Sequence, residues 1–205
     1  MAQRIAVILD IVGSRDLPNR ADAHRRVLET FAQVDDRWAP VRSIYPTAGD
    51  EYQAVYDALP DALAAVTAGV LLLGDGPDLR CGIGRGEIVD VDADSGITDG
   101  SAWWNARAAI DEAKSRQAGG EPDVRAWFAD PGSADAPAVA AFLRMRDHVL
   151  ARMKARERRV AGLSLMGASQ AEIARIEAVS QPAISQNLRR SGAGAVSEAL
   201  ATLGA

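Results

Sequence analysis

Apolar and polar positions along this chain of 205 residues follow two periods, one of about two and one of three to four. Ile5, Ala6, Val7, Ile8 and Leu9 form an unbroken apolar run that stops at Asp10, the pattern of a strand covered on both faces. The polar stretch Gly13-Ser14-Arg15-Asp16 reads as a loop. From Asn19 onward, Ala23, Val27, Phe31, Val34 and Trp38 recur every three or four positions, which predicts a helix closed by Pro40. Residues 41–47 and 51–57 read as short strands flanking Ala48-Gly49-Asp50, a hairpin with a glycine in its loop. Residues 61–73 predict a second helix, ended by Gly74-Asp75-Gly76-Pro77. Residues 79–89 predict a strand with Gly82, Gly84 and Gly86 at alternate positions, leaving one face bare for close approach of a ligand or another backbone. A helix over 101–117 and a last strand over 124–128 follow.

The order β-α-β-β-α-β, then α-β, predicts an α+β fold of the ferredoxin-like kind with a mainly antiparallel sheet. Gly132-Ser133 and Pro137 mark a boundary. The expected organisation is an α+β domain over 1–132, a connecting helix over 133–154 and a small all-α domain over 155–205. Residues 138–166 read as helical throughout, with a break near Met153. The apolar run 62–73 contains Thr67 and Gly69 and is too short to cross a bilayer. The N-terminus meets Asp10 before a signal-peptide core can form. One cysteine, Cys81, and two separated histidines, His24 and His148, argue against a disulfide and a zinc site. Cys81 is expected to pack within its strand, His148 to be solvated or capping, and at least one of Trp103 and Trp104 to be core. The chain is expected to be soluble and cytoplasmic, with no membrane partner.

Charge divides the chain. Between Ala141 and Ser191 ten basic residues face four acids, a net +6, so the remainder carries −11 of the total −5. The basic segment is the candidate for nucleic acid. Within it, Ser169-Gln170-Ala171-Glu172 is a capping box that opens a short helix over 170–178. Ser180-Gln181-Pro182 opens another, with a capping serine and a proline in the first turn. Ile173, Ala174, Val179, Ile184 and Leu188 are spaced so that two short helices cross at Ala174. Over residues 155–199 this resembles the helix-turn-helix of bacterial regulators. One departure is Ala178, where that family usually has glycine, so a slightly remodelled turn is expected. The resemblance implies duplex DNA as partner, with the second helix in the major groove and binding as a homodimer. Ser180 opens that helix, Gln181, Ser185 and Gln186 would reach base edges, and Arg189 and Arg190 would meet phosphates.

In the first half, Ile8-Leu9-Asp10-Ile11-Val12-Gly13 resembles the first-strand segment of class III nucleotidyl cyclases. Ala48-Gly49-Asp50-Glu51-Tyr52-Gln53-Ala54-Val55 is similar to the cyclase hairpin and to the diguanylate cyclase GGDEF turn. Leu79-Arg80-Cys81-Gly82-Ile83-Gly84-Arg85-Gly86 parallels the cyclase glycine strand. These blocks, Gly100-Ser101-Ala102-Trp103-Trp104-Asn105-Ala106-Arg107 and the terminal helices together resemble the SatD family of bacterial proteins. The cyclase resemblance implies that Asp10 and Asp50 hold Mg²⁺ or Mn²⁺ against a nucleotide. Ile11, Val12, Gly13, Ser14 and Arg15 would cradle phosphates, aided by Asn105 and Arg107. The purine-selecting lysine of cyclases is absent, since Pro46-Thr47-Ala48 stands in its place. Arg107 lies two residues from Asn105 rather than four, on a different side of the helix. The expectation is therefore a DNA-binding transcriptional regulator whose degenerate cyclase-like domain senses a nucleotide or phosphorylated small molecule, with enzymatic turnover left open. The alternative is a metal-dependent nucleotidyl cyclase or phosphoryl-transfer enzyme, with the C-terminal helices as a dimerisation unit.

Overall fold

A computed structural model describes residues 3–47, 49–92 and 96–204. Ala48, at the predicted hairpin loop, and the terminal Met1, Ala2 and Ala205 lie outside the described residues. The chain is α+β, with a mixed sheet and, among the described residues, eight α-helices. In order these are β1 (Gln3–Ile11), α1 (Arg20–Asp35), β2 (Arg42–Pro46), β3 (Glu51–Tyr56), α2 (Leu59–Leu73) and β4 (Leu79–Glu87). Next come β5 (Val89–Asp92), β6 (Ile97–Asp99), α3 (Ser101–Ala118), β7 (Ala126–Ala129) and α4 (Ala136–Arg152). The chain ends with α5 (Ala155–Leu165), α6 (Gln170–Ile176), α7 (Gln181–Arg190) and α8 (Ala193–Leu203). No helix among the described residues is long and apolar enough to cross a membrane.

The main sheet runs β2-β3-β1-β4-β7, antiparallel throughout except for the parallel pair β4–β7. Strand alternation gives β1 two buried faces. Ile5, Val7, Leu9 and Ile11 join a core with α1, α2 and α4 on one side, while Ala6 and Ile8 pack on α3 on the other. The α1 stripe is buried as its spacing predicts, at Ala23, Val27, Phe31 and Val34, with Trp38 packed against the same core. A fully buried side chain such as Phe31 contributes roughly 1.5–3 kcal/mol.

The bare face of β4 belongs to α3. A Cβ on Gly82, Gly84 or Gly86 would fall within 3.0 Å of atoms of α3. The stripe admits another backbone, and the helix–sheet contact is correspondingly close. Cys81, on the other face of the same strand, is buried, as is Trp103, whereas Trp104 is exposed.

The long helix expected over 138–166 breaks at Met153, whose ψ of 134 is extended. Leu143, Leu150 and Met153 from α4 and its end, Ala161 from α5, and Val196 and Leu200 from α8 enter the same core as the sheet. Arg146 and Asp147 form a buried ion pair, each 3% exposed. The Asp147 carboxylate also accepts the N–H groups of Arg125 and Ala126 at 2.7 and 2.8 Å, and Arg146 donates to Thr67 Oγ1 at 3.1 Å. These bonds tie α4 to the start of β7 and to α2. Two elements differ from expectation. Val89–Asp92 and Ile97–Asp99 pair antiparallel as the small β5–β6 sheet, and α8 follows from the spacing of Val196, Leu200 and Leu203.

Candidate functional site

On the α3 side of the sheet, Asp10 stands directly opposite Glu51 in the β1–β3 register. Such cross-strand neighbours have Cβ atoms about 5 Å apart. Both carboxylates are held by cations. Asp10 accepts two bonds from Arg80, at 3.0 and 3.2 Å, and an ion pair from Lys114 at 2.9 Å. Arg80 also donates to Gln117 at 2.7 Å. Glu51 pairs with Arg107 at 2.7 Å. Burial pushes the Glu51 carboxyl up, but the Arg107 hydrogen bond and charge, with Gln53 and Thr47, outweigh it and hold it below the ordinary value.

Asp50 belongs elsewhere. It lines a cleft of about 370 Å³ on the opposite side, together with Ser14, Arg20, His24 and Tyr52. Asp10 is not among the residues lining this cleft. The residues present do not fit a two-carboxylate Mg²⁺ or Mn²⁺ centre, because a guanidinium and an ammonium already occupy Asp10. Among the described residues, no group of three or more histidine, cysteine or acidic side chains could hold a metal ion.

The cleft opens between the β1–α1 connection and the β2–β3 loop. Gly13 takes a left-handed conformation, φ 64 and ψ 28, and starts a 3-10 turn over Ser14–Asp16 that leaves Ser14 only 9% exposed. On the cleft floor, His24 Nδ1 and the Tyr52 hydroxyl share one hydrogen bond of 2.9 Å, with the rings stacked at 5.3 Å. Burial, and next the Asp50 charge, push the Tyr52 phenol up to about 12, so it is neutral near pH 7.

Of the residues expected to bind a nucleotide, Ile11 and Ser14 line the cleft and Gly13 shapes its turn. The Val12 N–H is bonded to Asp78 O at 2.9 Å, and Arg15 is exposed outside the lining. Asn105 lies on α3 and donates to the Arg85 carbonyl at 2.8 Å, while Arg107 holds Glu51. The expected set thus divides between two faces. His24, Tyr52 and Arg20 were not anticipated. The available signal was the alternation Tyr52-Ala54-Tyr56, which turns a phenol inward where its hydroxyl needs a partner.

At the other end of the chain, Ser169 and Glu172 form the expected reciprocal cap, with Glu172 Oε2 accepting the Ser169 N–H at 2.8 Å. The turn after α6 passes through Ala178 at φ 52, the one positive-φ residue other than glycine among the described residues. Ser180 occupies the N-cap position of α7 without a side-chain cap bond, a correction to its expected capping role. Val160, Ile173, Ala174 and Ile184 form a small core of their own, with Val179 and Leu188 packed on it. Gln181, Gln186, Arg189 and Arg190 are exposed on α7, and Ser185 is half-buried. The basic segment is less free than its count. Arg144 pairs with Glu121, Arg152 with Asp123, Arg146 with Asp147, and Arg156 and Arg159 with Glu177. Arg189 and Arg190 have no acidic partner among the described residues.

Three comparisons bear on this architecture. No curated protein matches the chain. Among solved structures it is similar to the adenylyl cyclase CyaB from P. aeruginosa, at 12% identity and a TM-score of 0.34, over 52% of this chain and 70% of that one. The model of the SatD family matches residues 4–194, nearly the full length, and the chain belongs to that family.

Proposed function

We propose that this chain is a DNA-binding transcriptional regulator, cytoplasmic and homodimeric, whose α+β part over residues 1–132 senses a nucleotide or phosphorylated small molecule. In this reading the α+β part is a ferredoxin-like, degenerate cyclase-like domain. Residues 133–154 connect it to a helix-turn-helix unit over 155–205. The observation that carries the reading is the α6–α7 pair. A capped short helix, a left-handed turn residue and a second helix share a small core with Val160 of α5, while α7 turns an exposed polar face outward. On that face Gln181, Ser185 and Arg189 follow one another at helical spacing, as do Gln186 and Arg190. Arginines without acidic partners suit phosphates, and the glutamines suit base edges. The engagement of Asp10 by Arg80 and Lys114 speaks against metal-dependent phosphoryl transfer.

Binding to duplex DNA from the protein's own promoter region tests this. Wild-type protein should bind with a steep salt dependence. Arg189→Ala should weaken binding to all sequences and lower the salt slope by about one. Gln181→Ala should mainly reduce preference for the cognate site, by about 1–3 kcal/mol if the contact is bidentate. Absence of salt-sensitive binding by the wild type would sink the regulator reading.

A further inference from the structure

We propose that the cleft lined by Ser14, Arg20, His24 and Asp50 binds a guanine nucleotide carrying a single phosphate, without a metal ion. This deepens the ligand-sensing half of the function proposed above and depends on it. The cleft, about 370 Å³, falls within the range of small-molecule sites. Its two walls carry opposite chemistry. The β2–β3 loop contributes one carboxylate, Asp50, and the β1–α1 side contributes Ser14 and the Arg20 guanidinium. Between them, Ile11 and Leu17 give apolar surface against which a planar base can lie.

A carboxylate accepts best from two adjacent donors, one for each oxygen. The guanine edge offers that pair, N1–H beside the N2 amino group. Adenine offers its N6 amino group beside the N1 lone pair, which would face the second oxygen. The Asp50 wall therefore selects guanine. Across the cleft, the buried Ser14 hydroxyl and Arg20 suit a phosphate, and the left-handed Gly13 begins a turn of the kind that presents N–H groups to anions. Arg20 is the one lysine or arginine of the lining, which matches one phosphate rather than a triphosphate. Asp50 is the one carboxylate there, so no pair of acids is present to hold a bridging metal.

The test is calorimetric titration of the full chain with GMP, AMP, guanosine and inorganic phosphate, each in EDTA and in Mg²⁺. GMP should bind with the same affinity in both buffers, at least ten-fold more tightly than AMP or guanosine. Asp50→Asn should bring GMP and AMP to similar affinities. Arg20→Ala and Ser14→Ala should bring GMP down to the level of guanosine, with unfolding temperatures near the wild type as the check on folding. Equal binding of GMP and AMP by the wild type, a requirement for Mg²⁺, or no binding at millimolar GMP would each overturn the assignment. Promoter binding measured on the same preparation separates the two claims. DNA binding without GMP binding removes this inference alone, and GMP binding without DNA binding removes the regulator reading alone.

Discussion

Ala178 carries a side chain through a left-handed turn, where its Cβ crowds the following carbonyl at a cost of roughly 1–2 kcal/mol. Glycine would relieve that strain and give back about half in added freedom of the unfolded chain. Ala178→Gly should therefore stabilise the protein by about 0.5–1 kcal/mol, read as a higher denaturant midpoint at unchanged slope; a lower midpoint would contradict the strained turn. The need for a positive φ at this position was legible in the sequence, but the turn keeps its geometry and strains the alanine. The carboxylates were harder to read. Asp50 and Glu51 are adjacent, and a one-residue difference in strand position moves a side chain to the other face. Register with β1 puts Glu51, not Asp50, beside Asp10, and no local pattern announces that choice. The tyrosines offer a second check. Burial is the first cause pushing Tyr45, Tyr52 and Tyr56 above the ordinary value of 10.0, with Tyr52 at about 12. Since these are all three tyrosines of the chain, the native protein should show less phenolate absorbance at pH 10 than the unfolded chain does. A raised phenol keeps its proton in the fold after the unfolded chain has lost it. The stabilisation it brings is fully present below about pH 10 and declines as the pH climbs toward 12. Phenolate signal from Tyr52 and Tyr56 should thus appear together with unfolding, and native protein that titrates like the unfolded chain would contradict the burial.

Elements meet most closely where β4 runs under α3. The alternate glycines were legible as a demand for close approach; whether a ligand or a helix met it depended on where residues 101–118 dock, which their own periodicity does not state. A methyl group at Gly84 would fall within 3.0 Å of α3 backbone atoms, and backbone cannot swing aside as a flexible side chain can. Gly84→Ala should destabilise by about 3 kcal/mol or prevent folding, the upper range for overpacking. Near-wild-type stability in urea would mean that α3 sits farther from the sheet. The β5–β6 hairpin was missed for a related reason. Val89 and Val91 alternate with Asp90 and Asp92, a strand pattern, but the preceding apolar strand absorbed its first residue. The short α1 and α2 patterns were readable because each buries one continuous stripe or nearly its whole surface in the shared core.

Across the whole molecule, the charge division seen in the sequence is partly cancelled by folding. Glu121 and Asp123, counted with the acidic half, pair with Arg144 and Arg152 of α4, whereas Arg189 and Arg190 of α7 have no acidic partner among the described residues. One core runs from β1 through α2 to α8, whereas α6 and α7 bury only Ile173, Ala174 and Ile184, closed against Val160 of α5. The Glu177 carboxylate also joins that pair to α5, accepting from Arg159 at 3.0 Å and pairing with Arg156 at 3.3 Å. The Arg159 hydrogen bond, helped by both arginine charges, holds the Glu177 carboxyl below its ordinary 4.5. Its stabilisation is thus present above about pH 4.5 and lost as the pH falls through the lower folded value. Few buried contacts, with ion pairs supplementing the apolar junction at Val160 and Leu188, define a unit that opens before the rest. Native-state hydrogen exchange at neutral pH should give α6 and α7 amides an opening free energy below the global value that α2 and β1 report. Glu177→Gln should speed exchange in α6 and α7 further while leaving α2 and β1 within error of wild type. If all four elements exchange at one common free energy, and Glu177→Gln shifts them together, the helix pair is an inseparable part of the main core. The proposed effect of a ligand on DNA binding would then have to act through the fold as a whole rather than through the attachment of α6 and α7.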